Sequence, residues 1–381
     1  MRAQNFMRRL AWVFALPVLA FADVPIDHVP STLTLPSSYP DSWVFVYSVQ
    51  QPISGTYAIV DVAAETKEYK GQFQGAFYPS ILDPVPSKEL YIAESFFQRV
   101  THGTRDDVLT VMDKATLTPV AEVKLPGTKR AIVAGNLLEL TNDGELILLL
   151  NFTPASSVTV IDRQQRKVLN EVPIPGCTSI YPSGRRGFAS FCANGTMTSF
   201  VLGKGGHVLR EHRSEPFNDI DHDVLYLQST TIGTLTYFIS ARGQVREIDM
   251  TGEAALPRAS WALMSEEESV DGWHTADGTF EASDAAGRLY VRLYRETGYA
   301  KQLADNTEVW VYDVTSHKRV QRIPLKNGGT SIDVTRGKQP YLVVAADSVA
   351  GSLDVYDAQT GAFVRSIGGW ALPLYLVQGK R

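Results

Sequence analysis

The sequence lacks the motifs by which many enzymes and nucleic-acid-binding proteins are recognised. Its 381 residues include two cysteines, carry a formal net charge of −5 and show no cluster of basic residues, which argues against nucleic acid or anionic lipid as a partner. There is no Gly-x-Ser-x-Gly elbow, no Walker-type phosphate loop and no Cys-x-x-Cys-His haem site. These absences exclude several common chemistries and leave a chain with little catalytic machinery of its own.

Long hydrophobic runs are also scarce, and the clear one lies at the N-terminus. The apolar run Leu10–Phe21 follows an arginine-containing start and ends in the small-x-small motif Ala20-Phe21-Ala22. This pattern predicts a secretory signal peptide over residues 1–22, cleaved after Ala22, and hence an exported, periplasmic protein. The run is shorter than the ~20 residues that a membrane helix needs, so an uncleaved anchor is the weaker alternative. The Pro- and Ser-rich residues 23–41 are predicted to form an N-terminal arm that either wraps a neighbouring surface or is loose.

The two cysteines, Cys177 and Cys192, flank a stretch with the pattern of a β-hairpin. Folding that stretch about Gly184-Arg185 places the sulfur atoms opposite each other, which in an exported protein favours an intrachain disulfide. Closing a loop of ~15 residues contributes ~3 kcal/mol in the chain-entropy account, so the disulfide would brace this part of the fold. A redox-active pair usually has Cys-x-x-Cys spacing, which is absent here, and we therefore predict a structural disulfide.

The sequence does contain a repeated unit, in which a short run rich in Val, Ile, Tyr and Thr is followed by an Asp and a polar turn. Six such runs end at Asp61, Asp113, Asp162, Asp249, Asp313 and Asp357. A degenerate seventh copy, Met197–Leu202, has Gly203 in place of the Asp. The mean spacing of about 49 residues is that of a propeller blade. Any one run would also fit a β-sandwich, but seven in register predict an all-β, seven-bladed β-propeller domain over residues 42–381, closed into a ring.

Two local signals accompany the repeat. Each repeated Asp is expected to accept hydrogen bonds from turn amides two residues further on, which starts the connection to the next strand. Helical signals are scarce, and the clearest is Ser265-Glu266-Glu267-Glu268. This capping box predicts about two helical turns, ended by Asp271-Gly272.

Candidate functional residues are of two kinds, polar and aromatic. Asp221-His222-Asp223 offers oxygen and nitrogen donors of the type that bind metals, but adjacent residues on a strand point to opposite faces, so a solvated loop is favoured. Aromatic residues at Phe77, Tyr78, Phe96 and Phe97 are expected in the first blade and at its edge. There they would line a channel or pack against a partner, with packing between blades as the alternative. We predict no catalytic, cofactor-binding or metal-binding residue in this chain.

Several segments resemble, in order, the large subunit of the periplasmic quinoprotein amine dehydrogenases, the methylamine and aromatic amine dehydrogenase family. Arg99–Val108 resembles the family's Arg-x-x-x-Gly-x-Arg-x-Asp segment, and Glu308–Asp313 resembles the corresponding segment of the aromatic amine enzymes most closely. Further matching segments are Phe152–Val158, the hairpin Cys177–Cys192, Leu263–Glu267 and Gly287–Val291. The resemblance covers about Trp43 to Ile367, nearly the whole predicted mature chain.

This resemblance implies a heterotetramer of two large and two small subunits. In the family the small subunit carries tryptophan tryptophylquinone, primary amines are oxidatively deaminated to aldehyde and ammonia, and electrons pass to a blue copper protein of the amicyanin or azurin kind. The large subunit, the counterpart of this chain, is a propeller that supplies a docking surface and part of the substrate-channel wall. The resemblance thus implies a large subunit that holds no cofactor itself.

The sequence departs from the family in several loops. Where the methylamine enzymes have an aromatic residue near the channel, the matching loop Ser48–Ile53 has none, and Ser283-Asp284 replaces a His-Arg pair. Two other interpretations therefore stay open. One is a stand-alone periplasmic propeller that acts as a binding or scaffold module. The other is a propeller hydrolase or lactonase with a central metal, which needs several ligating side chains that the sequence does not assemble.

Overall fold

The computed structural model describes residues 34–49, 55–126, 136–276, 281–295, 307–346, 351–368 and 373–377. These residues form seven antiparallel β-sheets and one short helix. From Leu35 onward they belong to one compact unit. The predicted all-β, seven-bladed propeller is confirmed.

Strands follow one another along the chain from the innermost to the outermost position of a sheet. The first sheet contains β1 (Trp43–Val49), β2 (Gly55–Asp61) and β3 (Tyr69–Gly75). The second contains β4 (Phe77–Leu82), β5 (Glu89–Arg99), β6 (His102–Asp113) and β7 (Thr118–Lys124). The third contains β8 (Leu138–Leu140), β9 (Leu146–Asn151), β10 (Ser157–Asp162) and β11 (Lys167–Pro173). The fourth contains β12 (Cys177–Pro182), β13 (Gly187–Cys192), β14 (Met197–Leu202) and β15 (Val208–Arg213).

The remaining three sheets repeat this order. The fifth contains β16 (Thr230–Ile232), β17 (Leu235–Ile239), β18 (Gln244–Asp249) and β19 (Leu256–Ala262), and the helix α1 (Glu266–Val270) follows it. The sixth contains β20 (Trp273–Thr275) and β21 (Glu281–Ser283), which both pair with β22 (Arg288–Arg295), then β23 (Thr307–Asp313) and β24 (Lys318–Pro324). The seventh contains β25 (Ser331–Val334), β26 (Tyr341–Ala346), β27 (Ser352–Asp357) and β28 (Phe363–Gly368), and β29 (Pro373–Val377) is the last strand.

The ring closes because β29 joins the first sheet. It pairs antiparallel with β1, with Val46 opposite Leu376, so that this sheet has the order β29-β1-β2-β3. The buried hydrophobic residues form seven clusters, each between two neighbouring sheets. One of them packs Val44 of the first sheet against Val343 and Val355 of the seventh. Closure therefore joins the two ends of the described chain through both hydrogen bonds and core packing.

The repeated Asp ends the third strand of every sheet except the fourth, where Gly203 follows the strand. Its carboxylate accepts backbone hydrogen bonds within the turn, as predicted. In Asp249 the donor is the amide of Thr251, two residues on, at 3.0 Å. In Asp113 the donor is the amide of Thr116, at 2.9 Å, one residue further on than the sequence predicted. Both arrangements start the turn into the outermost strand.

Antiparallel pairing distributes the turns over two faces of the ring. The turns between the first and second strands, and between the third and fourth, lie at the face that carries the repeated Asp, which we call the Asp-turn face. The hairpins between the second and third strands, and the connections between blades, lie at the opposite face, which we call the connection face.

Two local predictions are borne out in the described chain. Cys177 and Cys192 lie opposite each other on β12 and β13 and form a disulfide, with their Cα atoms 3.9 Å apart. Ser265 caps α1, and the predicted capping box with Glu268 is present. The helix ends at the predicted place, with Asp271 as its C-terminal cap, but its five residues make fewer than the two turns predicted.

The predicted signal peptide, residues 1–22, and most of the predicted arm, residues 23–33, lie outside the described residues. The described end of the arm packs on the propeller. The amide of Leu35 donates to the carbonyl of Ala115 at 2.9 Å, and the hydroxyl of Tyr39 donates to the carbonyl of Lys114 at 2.7 Å. This end of the arm is thus bound to the second blade. Among the described residues no helix has the length and apolarity needed to cross a bilayer.

Candidate functional site

A long hairpin at the connection face distinguishes the second blade. Strands β5 and β6 have 11 and 12 residues, whereas their neighbours β4 and β7 have 6 and 7. Within the described strands, pairing of β5 with β4 reaches to Ser95, and pairing of β6 with β7 begins at Val108. Residues 96–106 therefore pair with each other beyond the four-stranded blade. We call this two-stranded segment the ribbon.

The register of the ribbon assembles five side chains on one face. Ser95 lies opposite Phe77 on β4 and opposite Asp107 on β6. Two residues further along β5, Phe97 lies opposite Arg105. Because alternate residues of a strand share a face, these residues project to the same side of the sheet. We call them the Phe97 cluster: Phe77, Ser95, Phe97, Arg105 and Asp107.

The aromatic rings of the cluster are in direct contact. The ring centroids of Phe77 and Phe97 are 4.9 Å apart and the ring planes meet at 69°, an edge-to-face arrangement. The guanidinium carbon of Arg105 lies 5.4 Å from the centroid of the Phe97 ring, within the range of a cation–π interaction. Phe97 is thus contacted by a ring edge from β4 and by a guanidinium from β6.

Arg105 is held by two buried hydrogen-bond acceptors, the carboxylate of Asp107 and the hydroxyl of Ser95. Its Nε and Nη2 atoms donate to Oδ1 of Asp107 at 3.0 and 2.7 Å, and Nη2 also lies 3.0 Å from the hydroxyl oxygen of Ser95. The side chain of Asp107 is 3% exposed and that of Arg105 is 16% exposed. Ser95 is fully buried and its hydroxyl donates to Asp107. Charge-assisted bonds in such a desolvated position hold a guanidinium in one orientation.

A second buried carboxylate supports the approach to Phe77. The backbone amide of Ala76, which directly precedes Phe77, donates to Oε2 of Glu94 at 2.8 Å. Oε1 of the same carboxylate accepts the hydroxyl of Thr110 at 2.5 Å. Glu94 therefore ties the connection between the first and second blades to β5 and β6. This fixes the backbone on which the Phe77 ring is mounted.

The four aromatic residues predicted as channel or interface residues are only partly brought together. All four lie in the second blade rather than in the first, because β4 begins at Phe77 and is the innermost strand of the next sheet. Phe77 and Phe97 are in contact, whereas Phe96 faces the other side of the ribbon and is 45% exposed. Tyr78 lies in β4, and its side chain is outside the described part of the structure. Their assignment to a channel or interface stays a prediction.

Sequence reasoning missed Arg105, Asp107 and Ser95 as members of the site. The signal available was the alternation Arg105-x-Asp107 on a strand, which places an opposite-charge pair on one face. That alternation indicates this site only together with the strand register, which places Ser95 opposite Asp107 and Phe97 opposite Arg105. The loop predicted to lack the family's channel aromatic, Ser48–Ile53, lies mostly outside the described residues.

The polar candidate around His222 is a solvated loop, as favoured from the sequence. His222 and Asp219 are both exposed, and Oδ1 of Asp219 lies 3.1 Å from the backbone amide and 3.1 Å from Nδ1 of His222. These hydrogen bonds, the backbone amide first, hold the pKa of Asp219 below its usual value. Across the described ranges, no three His, Cys, Asp or Glu side chains converge in a way that could hold a metal ion.

Comparison with protein families and curated proteins agrees with the resemblance drawn from the motifs. A family model described as "Methylamine dehydrogenase heavy chain (MADH)" matches residues 53–371. The methylamine dehydrogenase heavy chain of Methylophilus methylotrophus is 25% identical over 319 residues, covering 82% of this chain and 77% of the relative. That of Paracoccus versutus is 26% identical over 314 residues, covering 80% and 72%.

Solved structures agree on the fold. The periplasmic gluconolactonase PpgL of Pseudomonas aeruginosa superposes with a TM-score of 0.61 at 13% identity, covering 88% of this chain and 98% of that one. The dihydro-heme d1 dehydrogenase NirN superposes with a TM-score of 0.53 at 15% identity, covering 93% and 78%. At these identities the likeness concerns the propeller alone, since one propeller fold supports many chemistries.

Proposed function

Because the chain belongs to the methylamine dehydrogenase heavy chain family, we propose that it is the large subunit of a tryptophan tryptophylquinone-dependent amine dehydrogenase. The complex would contain two large and two small subunits, and would convert primary amines to aldehyde and ammonia. The quinone, on the small subunit, would take up the electrons of the amine, and a blue copper protein of the amicyanin or azurin kind would receive them. The observation that carries this proposal is the family match over residues 53–371.

This chain would contribute structure and selectivity among amines to the complex, but no reacting group. The Phe97 cluster lies where the second and third strands of the blade extend past their neighbours at the connection face. Two aromatic rings in fixed contact, with a neutralised ion pair beside them, form a wall suited to an organic amine. We propose that this wall faces the small subunit and borders the substrate channel.

One pair of tryptophans in the described part of the chain lies in ring contact but does not fit the quinone. The fold brings Trp273 and Trp310 together, with ring centroids 5.1 Å apart, although they are well separated in sequence. Both are buried, and the guanidinium of Arg322 lies 4.8 and 4.7 Å from the two rings. The indole of Trp310 donates to Glu308 at 2.6 Å. A reactive quinone must be reached by an amine, so this enclosed pair is a packing element, and we place the cofactor in the small subunit.

The proposed site of action is the periplasm. The supporting observations are the signal-peptide pattern at the N-terminus and the disulfide between Cys177 and Cys192, since disulfides persist in oxidising compartments. We expect the mature protein to begin at Asp23. Intact-mass measurement of the protein purified from its host tests this, and a chain that retains Met1 would contradict it.

Reconstitution tests the proposed activity. The large chain should be inactive alone and should support amine-dependent reduction of a dye acceptor when it is produced together with a small, cysteine-rich subunit from the same host. A complex that forms but oxidises no primary amine would contradict the proposed reaction. A large chain that forms no complex would favour the alternative, a stand-alone periplasmic binding or scaffold module.

A further inference from the structure

We propose that Arg105 is a positioning residue, which fixes the Phe97 ring against Phe77 and thereby sets the preference of the channel among amines. This role rests on the proposed function, because it takes the Phe97 cluster as part of the channel wall. It adds a specific task for two residues of the Arg-x-Asp pattern, Arg105 and Asp107. Neither residue is assigned to the chemistry of the reaction.

Phe97 lies where the sheet alone does not fix its ring. Within the described strands it belongs to the ribbon, whose two strands pair with each other and not with β4 or β7. An isolated pair of strands is marginally stable in water, and a ring on it is free to exchange rotamers unless other side chains hold it. Two contacts hold Phe97: the ring of Phe77, with the two centroids 4.9 Å apart, and the guanidinium carbon of Arg105, 5.4 Å from the Phe97 centroid.

The side chain of Arg105 is itself held in place by two buried residues. Asp107 and Ser95, which hold its guanidinium, are both buried in the four-stranded part of the blade. These bonds hold Arg105 against the four-stranded part of the blade. Arg105 in turn holds the ring of Phe97, which lies beyond that part. A guanidinium suits this task because its planar fork can bond to the carboxylate along one edge while its face meets the ring.

The ion pair also makes the wall electrically neutral. A primary amine is largely an ammonium ion at neutral pH, and an uncompensated guanidinium beside the channel would repel it. Oδ1 of Asp107, 2.7 Å from Nη2 of Arg105, compensates that charge. Arg105 can thus orient an aromatic wall without opposing the entry of a cationic substrate.

The test uses the assembled complex with its small subunit and compares methylamine with 2-phenylethylamine. Arg105→Gln is expected to raise the ratio of KM for 2-phenylethylamine to KM for methylamine roughly tenfold, with kcat within about twofold of wild type. Both ammonium substrates meet the same change of charge at Asp107, but only the larger one loses contact with a disordered ring. Phe97→Leu should give the same pattern. The double variant should be no worse than either single variant, because both changes remove one interaction.

Arg163→Gln is the matched control. Arg163 follows Asp162 in the third blade. At the Asp-turn face it lies over the ring of Tyr91 of the second blade at 5.7 Å and donates to the hydroxyl of Ser87 at 3.0 Å. Its loss should lower the melting temperature and leave the KM ratio of the two amines unchanged. If Arg105→Gln likewise lowers only the melting temperature, the positioning role is wrong. If the wild-type complex oxidises neither amine, the role of Arg105 in choosing between them is wrong, whereas the proposed function fails only if the complex oxidises no primary amine.

Discussion

Two phenylalanines four positions apart, Phe73 and Phe77, are expected to respond differently to truncation. Phe73 is 6% exposed and packs against Phe45 and Tyr57 in the core between the first and second blades. Phe73→Ala should therefore cost about 3–5 kcal/mol of stability and leave amine selectivity unchanged. Phe77 is half-buried at the start of β4, so Phe77→Ala should cost about 1 kcal/mol and change the ratio of kcat/KM between small and aromatic amines.

Thermal unfolding of the two variants, together with kinetics of the assembled complex, checks this pair. The assignment of Phe77 to the channel wall would be wrong if Phe77→Ala lowered the melting temperature as much as Phe73→Ala does and left the selectivity of the complex intact. Phe77 would then be a packing residue between blades.

The Asp turn of the fifth blade makes a small, pH-dependent contribution to stability. The hydroxyl and amide of Thr251, followed by the guanidinium of Arg258, lower the pKa of Asp249 from 3.8 to about 2. Since the folded-state pKa is the lower one, this contribution is fully present above about pH 4 and is lost as pH falls through about 2. The paired side chain of Arg258 is 54% exposed and solvent screens it, so the effect should be below about 1 kcal/mol.

Asp249→Asn separates the charge from the turn geometry, because the amide oxygen can still accept hydrogen bonds. The variant should melt below wild type at pH 6, and the difference should narrow as the pH is lowered towards 2.5. Melting curves followed by circular dichroism give this difference directly. An offset that is the same at pH 6 and at pH 2.5 would show that the charge of Asp249 does not contribute.

At the scale of the element, the ribbon carries backbone strain at its tip. Val100 has a φ of 58°, and the amide of Thr101 donates across it to the carbonyl of Arg99 at 2.6 Å. This is a γ-turn with positive φ, a conformation that a β-branched residue rarely adopts. Val100 is also 75% exposed, so its side chain gains little from burial.

Val100→Gly should consequently stabilise the chain by about 1 kcal/mol, because glycine adopts positive φ without a steric penalty. The melting temperature of the purified chain measures this. Gly233, which already has a φ of 61° at an open position, provides the reverse control, since Gly233→Val should destabilise. A lower melting temperature for Val100→Gly would mean that the valine side chain makes a contact that outweighs the strain.

Individual elements could be predicted from the sequence where residues close to one another along the chain determine them. The Cys177–Cys192 hairpin and the Ser265 cap depend on residues close in sequence, and both are present. The position of Phe77 was not predictable in the same way. The repeat fixes the third strand of each blade, but it does not say where the preceding blade ends, and the first blade takes its innermost strand from the C-terminus.

The Phe97 cluster could not be predicted because it depends on register. Arg105 and Asp107 alternate like the residues of any solvated strand, and nothing local links them to Ser95. Only the pairing of β5 with β6 places Ser95 opposite Asp107 and Phe97 opposite Arg105. A shift of one residue would turn the whole set to the other face of the ribbon.

At the scale of the whole molecule, ring closure by β29 is expected to decide solubility. Removing residues 369–381 deletes β29, so that β1 pairs only with β2 and its other edge loses its antiparallel partner. An open propeller with an unpaired edge should aggregate, as measured by size-exclusion chromatography with light scattering. Removing residues 378–381 alone, which follow β29, should have no effect. If the chain ending at residue 368 remained monomeric with an unchanged melting temperature, β29 would be dispensable for closure.

The number of blades could be predicted because seven copies of one strand-and-turn unit recur at a mean spacing of about 49 residues, and each copy marks the same strand of its blade. The partners of the molecule could not be obtained in this way, since they depend on surfaces that the repeat does not encode. Family membership supplies the expectation of a small subunit, and the proposed reaction depends on that subunit.

The most direct test of the account is native purification of this protein from its own host, followed by a denaturing gel stained for quinone redox cycling. We expect two bands in equal stoichiometry, a quinone-negative band of this chain and a small quinone-positive band. A single quinone-negative band at the size of this chain would contradict it and favour a propeller that works without a catalytic partner.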